Sequence, residues 1–337
     1  MMSKFIRTLL SFIAIVAIPF CILVGLYFYF DPFMVVRNYK NFSHSHVALN
    51  RDYVSSQIFL QNYPKHKFDS YIFGSSRTMA FEPNVWKTKL EADARPFMFD
   101  AAAESIYGIH SKIKYLDDHN IPIRYALIIV CHDRTFEHST DEAGFLFIKH
   151  YKFSKNGFIN FHKTFFLAYL DPHFLKAYFA YQNKKKYEKW MAKYMVEWDI
   201  EYDTVNNQMF YYKDIEKQLL TDPDAYYNTR MKNFFAPQKK ETIDSKNLIT
   251  ASQIKMMKEI IAIFEKNKTK YKVVVSPLYT KVKFSHGDTK VLQSIFGKQF
   301  YDFSGDNIYT STKYNYYEMS HYRKTAGRQI MDSIYHP

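Results

Sequence analysis

The chain has 337 residues, 47% of them apolar, enough for one large or two modest domains with a true core. That composition excludes a disordered chain and a small disulfide-stapled module, and its two cysteines, Cys21 and Cys131, leave no internal disulfide expected. The formal net charge of +13 suggests nucleic acid, but the positive residues are dispersed and no nucleic-acid motif is present, so nucleic acid is excluded as the expected partner. Anionic lipid headgroups or an anionic glycan fit better. The densest basic spots are Lys184-Lys185-Lys186 and Lys239-Lys240, which also read as ordinary solvated faces.

Thr8 to Phe30 carries no charge and is long enough to cross a bilayer as a helix. Lys4 and Arg7 precede it, which predicts a single-pass anchor with its N-terminus in the cytoplasm and the rest outside. Tyr27 to Phe30 would form an aromatic belt at the outer interface, and Pro19 is tolerated within a span. A cleaved signal peptide is the competing reading. Its apolar core is normally shorter and ends in small residues, whereas this run ends in aromatics followed by Asp31-Pro32.

Residues 31–66 read as a linker and a first helix. Phe68 to Phe73 is a short strand, and Pro96 to Phe99 a second. A helical pattern covers Glu104 to His119. Arg124 to Val130 holds a continuous apolar run, which suits a strand covered on both faces. The pattern then changes. Asp171-Pro172 is a helix start, and Phe174, Tyr178 and Tyr181 recur at helical spacing. Residues 151–250 are therefore expected to be a helical insertion, serving as a lid, a partner surface or a glycan groove, or simply packing in the core. It carries much of an aromatic excess of 29 Tyr and 31 Phe, which could mark a carbohydrate groove, a membrane interface or only compositional bias.

Ile254, Met257, Ile261 and Phe264 mark one face of a helix near Thr250. Lys272 to Val275 and Phe300 to Phe303 read as strands, Tyr314 to His321 as a loop and Arg323 to Ile334 as a closing helix. Strands alternating with helices predict an α/β fold with a parallel sheet, helices on both faces and its site at the carboxyl ends of the strands. The organisation expected is an anchor over 1–35, a first part of the α/β domain over 36–150, the insertion over 151–250 and a second part over 251–337.

Two stretches carry chemistry. Gly74-Ser75-Ser76-Arg77 sets a serine on a tight turn after a strand, where Gly74 permits the backbone geometry. Ser76 is the preferred nucleophile, with Ser75 bonding inside the turn. A serine hydroxyl needs a base, and the base needs an orienting acid. His321 and Glu318, three residues earlier, supply both types. Arg77 is open to three roles: contributing to an oxyanion site, binding a substrate carboxylate or phosphate, or forming a structural ion pair. His44-Ser45-His46 and Cys131-His132-Asp133 lack metal-site spacing, so neither a metal nor another cofactor is expected.

Phe73-Gly74-Ser75-Ser76-Arg77 and Ser320-His321-Tyr322-Arg323 with Gly327 resemble blocks of the SGNH (GDSL-like) hydrolase superfamily. The similarity is closer to its membrane-anchored envelope branch, which modifies teichoic acids and exopolysaccharides. It spans 68–135 and 270–335. It implies a flavodoxin-like sheet, Ser76 as nucleophile and His321 as base, and Glu318 in place of the usual Asp. The oxyanion donor would be a backbone N–H at Ala102 where the family has Gly, and Asp133 stands where the family has Asn. An ionised Asp133 cannot donate to an oxyanion. The activity implied is O-acyl transfer to an envelope polysaccharide or ester hydrolysis, beside a multi-span membrane O-acyltransferase on the outside of a bacterial cytoplasmic membrane. The alternative is a non-catalytic SGNH-like subunit that binds a glycan or scaffolds an envelope complex.

Overall fold

The continuous apolar run at residues 126–130 belongs to a central strand, and its alternate side chains enter two different cores. The structure, a computed structural model, describes residues 2–230, 232 and 240–335. Five strands, β1 (Ser70–Gly74), β2 (Pro96–Asp100), β3 (Tyr125–Val130), β4 (Lys270–Val275) and β5 (Phe300–Asp302), form one parallel sheet in the order β2-β1-β3-β4-β5. This is the doubly wound order with one reversal, between β1 and β3. Gly74 stands opposite Asp100 on one side and Ile129 on the other, so the turns leaving β1, β2 and β3 open at the same edge.

Before the sheet come α1 (Met2–Phe30) and α2 (Arg51–His66); after β2 comes α3 (Ile106–Asp118). The insertion opens with α4 (Gly157–Tyr169) and α5 (Pro172–Lys184); α6 (Ala251–Asn267), α7 (His286–Phe296) and α8 (Lys324–Tyr335) follow it. On one sheet face, Tyr71, Phe73, Phe99, Ile128 and Val273 pack with Phe59 of α2, Ile113 of α3, Ile260 of α6 and Leu292 of α7. On the other, Ile72, Leu127, Ile129 and Val274 pack with Trp86 and with Ile330 and Ile334 of α8. Both faces are thus dry, which is why these strands read as unbroken apolar runs rather than alternating ones.

Helix starts follow their caps. Thr250 and Gln253 form a reciprocal capping box at α6. Asp171 accepts the His173 N–H at 2.8 Å to open α5. The fully buried stripe of α6 is Gln253, Met257, Ile260 and Phe264, with Ile254 and Ile261 half-buried against the same core. Gln253 can be buried because its amide donates to the carbonyls of Phe136 and His138, at 3.0 and 3.2 Å. Glu104, expected within the first turn of α3, precedes it; Ser105 is the cap.

Much of the aromatic excess is core. Phe59 stacks on Phe99 at 4.9 Å and meets Phe97 edge-on at 5.5 Å, and Phe68 joins Phe97 at 4.9 Å. Phe161, Phe165 and Phe174 of the insertion belong to the same core as the sheet face. Lys184-Lys185-Lys186 is exposed at the end of α5; Lys239 lies outside the described residues. α1 is a single N-terminal apolar helix whose length and composition suit a membrane anchor or a signal sequence. After it the chain turns at Asp31, whose buried carboxylate accepts the N–H groups of Val35, Val36 and Arg37 at 2.9–3.0 Å.

Candidate active site

Gly74 ends β1 with φ +145°, and a Cβ there would lie 2.7 Å from the Ile129 carbonyl oxygen. Only glycine makes that bend beside β3 without displacing it. Gly74→Ala is expected to cost about 3 kcal/mol, from backbone strain plus overpacking; chemical denaturation of the full chain in detergent reads the loss. Ser75 then caps a short 3-10 turn, Ser76–Ala80. Its oxygen accepts the Arg77 N–H and lies 3.1 Å from Cys131 Sγ. Ser76 opens the turn, half-buried, with its hydroxyl 2.7 Å from His321 Nε2.

His321 stands on a hairpin, not a loop. β6 (Tyr316–Glu318) and β7 (His321–Tyr322) pair antiparallel, with Glu318 directly opposite His321 across the Met319-Ser320 turn. The hairpin brings the Glu318 carboxylate onto His321 Nδ1, and its other oxygen accepts the Ser320 N–H at 2.8 Å. With Nδ1–H donated to the carboxylate, Nε2 is left as the acceptor for the serine O–H. Burial pushes Glu318 up, but the hydrogen bond and charge of His321, the Ser320 N–H and the charge of Arg77 outweigh it and hold the carboxyl below its ordinary value.

Ser76, His321 and Ala102 line one cavity of about 240 Å³. Its other walls come from Leu49 before α2, Met79 of the serine turn, and Val196, Ile200, Met209 and Tyr212 of the insertion. Tyr212 also stacks on Tyr317 at 4.0 Å, which fixes the insertion against the hairpin. Larger cavities of about 600 Å³ elsewhere contain neither Ser76 nor His321. Among the described residues, no acceptor takes the backbone N–H of Ser76 or of Ala102. Ala103 follows with φ +48°, so the turn after β2 is held in a conformation rare for a residue with a side chain.

Arg77 forms a buried ion pair. Its guanidinium grips Asp133 bidentately at 2.5 and 3.0 Å and donates to the Ser320 carbonyl at 2.7 Å. It ties the serine turn, the end of β3 and the histidine hairpin together, and neither Arg77 nor Asp133 lines the cavity. Burial pushes Asp133 up, but its hydrogen bond and charge pairing with Arg77 outweigh this and leave the carboxyl below its ordinary value. The sequence reading missed a second buried arginine. Arg51 donates to Asp100 at 2.7 and 3.0 Å and to the Asn207 side chain at 2.9 Å, on the cavity floor. Nothing in residue spacing links positions 51, 100 and 207.

Among the described residues, no three His, Cys, Asp or Glu side chains gather as a cation cage. His44 Nδ1 instead pairs with Asp199 at 2.9 Å, and His132 lies 3.1 Å from Asp244. Comparison with known proteins gives no matching family model and no significant curated relative. The chemistry is therefore read from the site: a hydroxyl, an imidazole and a carboxylate in series, beside two unengaged backbone donors.

Proposed function

We propose that this chain is a membrane-anchored, SGNH-like serine O-acyltransferase or esterase that acts on an envelope polysaccharide outside a bacterial cytoplasmic membrane. The observation that carries the reading is the 2.7 Å contact of Ser76 Oγ with His321 Nε2, backed by Glu318 on the other ring nitrogen. Ser76 Oγ attacks the carbonyl carbon of an acyl ester or thioester while its proton passes to Nε2. The oxyanion sits at the N–H groups of Ser76 and Ala102. Collapse expels the donor alcohol or thiol, which leaves with the proton from His321. A sugar hydroxyl, deprotonated by the same nitrogen, then attacks the acyl-enzyme and frees Ser76; water in its place gives hydrolysis. The small, largely apolar cavity suits a short acyl group better than a long chain.

The anchor supports transfer over hydrolysis, because it keeps the site beside a membrane partner that can export acyl groups. By resemblance that partner is a multi-span O-acyltransferase. The Arg77–Asp133 pair supports the second reading, a non-catalytic glycan-binding subunit, since the position that is Asn in SGNH enzymes here serves as an ion-pair partner.

Fluorophosphonate labelling with mass mapping separates the two. Full-length protein should carry the phosphonyl group on Ser76, with no label in Ser76→Ala and much less in His321→Ala. Glu318 adds a pH signature. Its folded value is depressed, so its hold on His321 is complete above the ordinary carboxyl pKa and is lost as pH falls through the lowered value. Glu318→Gln should slow labelling by about 10²- to 10⁴-fold at neutral pH. A folded protein that neither labels nor hydrolyses a small activated acetate ester overturns the enzyme reading.

A further inference from the structure

Helix α4 has only a narrow polar strip, Asn160, Lys163 and Thr164. Its thirteen residues, GFINFHKTFFLAY, hold one charge, Lys163. Phe161, Phe165 and Tyr169 point into the core. Beside that strip the exposed surface of a water-facing helix should be polar too, yet Ile159 is 81% exposed, Phe158 58% and Leu167 55%. Exposed apolar surface of this kind marks an interaction site.

The position of α4 identifies what covers it. Its inner flank packs along the C-terminal half of α1: Phe166 meets Phe20 at 6.4 Å and Tyr27 at 5.3 Å, and Tyr169 meets Tyr27 at 5.1 Å. Tyr27 is 3% exposed and joins the main core, so the end of α1 is built into the fold rather than left hanging from it. That integration favours a retained anchor over a removed signal sequence. Phe20 lies ten residues before Phe30, which is about 15 Å along a helix axis. The hydrocarbon core of a bilayer is about 30 Å thick. A helix that touches Phe20 is therefore level with the outer leaflet if α1 spans. Between the two helices runs a mostly apolar groove of about 590 Å³, lined by Phe20, Val24, Phe28, Phe158, Ile159 and Phe166 and flanked by His162 and Lys163.

We infer that α4 is a second membrane element, lying in the outer leaflet beside α1 with Phe158, Ile159 and Leu167 against lipid acyl chains. Lys163 reaches up toward the headgroups along its own apolar stem. Lys152 and Lys155, exposed just before α4, meet anionic phosphates there. The soluble domain is then fixed in height and orientation on the membrane and does not swing on a linker.

The test places a nitroxide on the full-length chain in phosphatidylethanolamine–phosphatidylglycerol nanodiscs. The background carries Cys21→Ser, while buried Cys131 stays in place. Ile159→Cys and Leu167→Cys supply two independent sites, and Lys298→Cys, in an exposed turn, is the aqueous control. At 159 and 167, dissolved oxygen should relax the label more than a water-soluble nickel chelate does, with the reverse order at 298. Collision ratios at 159 and 167 equal to the control would overturn the inference. So would labels shielded from both reagents, which would mean that a second copy or another protein covers α4.

Discussion

Ser76→Ala is expected to lower turnover of a small acyl ester by about 10⁴- to 10⁶-fold, and His321→Ala by nearly as much. The two act as one unit: an imidazole without the hydroxyl has nothing to attack with, and a hydroxyl without the imidazole keeps its proton. The double variant should therefore be no slower than either single one, whereas independent contributions would multiply. Stability supplies the control. Ser76 is half-buried and its side chain makes one hydrogen bond to the protein, to His321, so its loss should cost about 1 kcal/mol or less. Steady-state kinetics and thermal unfolding on the same samples separate chemistry from folding. A Ser76→Ala protein within tenfold of wild type would remove Ser76 as the nucleophile. If labelling persisted there at another residue, Ser75, the adjacent serine, would be the first candidate, although its oxygen already caps the turn.

The pairing of Ser76 with His321 was legible because each half announces itself locally. A glycine–serine turn at the end of a buried strand and a carboxylate three residues before a histidine are short-range patterns. The sheet brings them together through its order, and that order follows from apolar runs covered on both faces. The hairpin carrying Glu318 and His321 was not legible. Its turn is Met319-Ser320, without the Asn-Gly, Asp-Gly or Gly-led pairs that mark two-residue hairpins.

The cavity walls were invisible for a different reason. Val196 and Ile200 lie in irregular backbone, and Met209 belongs to a two-residue ribbon strand, so no periodicity singles them out. α4 escaped because apolar residues wrap most of its surface, and the narrow strip of Asn160, Lys163 and Thr164 gives only a weak alternation. Arg77 shows the limit of residue type as a guide. An arginine next to a nucleophile suits anion binding, and only the position of Asp133 and of the Ser320 carbonyl turns it into a clamp.

The largest stability effect is expected beneath the site, at Glu104. Its two carboxylate oxygens hold Lys112 at 2.5 Å and Lys149 at 2.6 Å, and all three side chains are buried. Lys112 also reaches Asp52 at 3.0 Å and the Asp100 carbonyl at 3.1 Å. The network thus supports the turn that carries Ala102 from below. Burial pushes Lys149 down, yet the charges of Glu104 and Asp52 outweigh it and hold the ammonium above its ordinary value. Helix α3 makes room for the carboxylate with Gly108, where a Cβ would collide with Glu104. Glu104→Ala removes the carboxylate shared by two buried ammonium groups, leaving Lys112 with Asp52 and Lys149 with Glu142 at 3.7 Å, and breaking buried pairs of this kind costs about 3–5 kcal/mol. Glu104→Gln keeps the shape but loses the charge, so it should fall between wild type and Ala. Urea denaturation of the full chain in detergent measures both, and the labelling rate of Ser76 in the folded baseline measures the site. Because Lys112 grips the Asp100 carbonyl two residues before Ala102, the Ala variant should lose labelling rate as well as stability. A change below about 1 kcal/mol would be typical of a surface ion pair and would mean that solvent reaches these lysines.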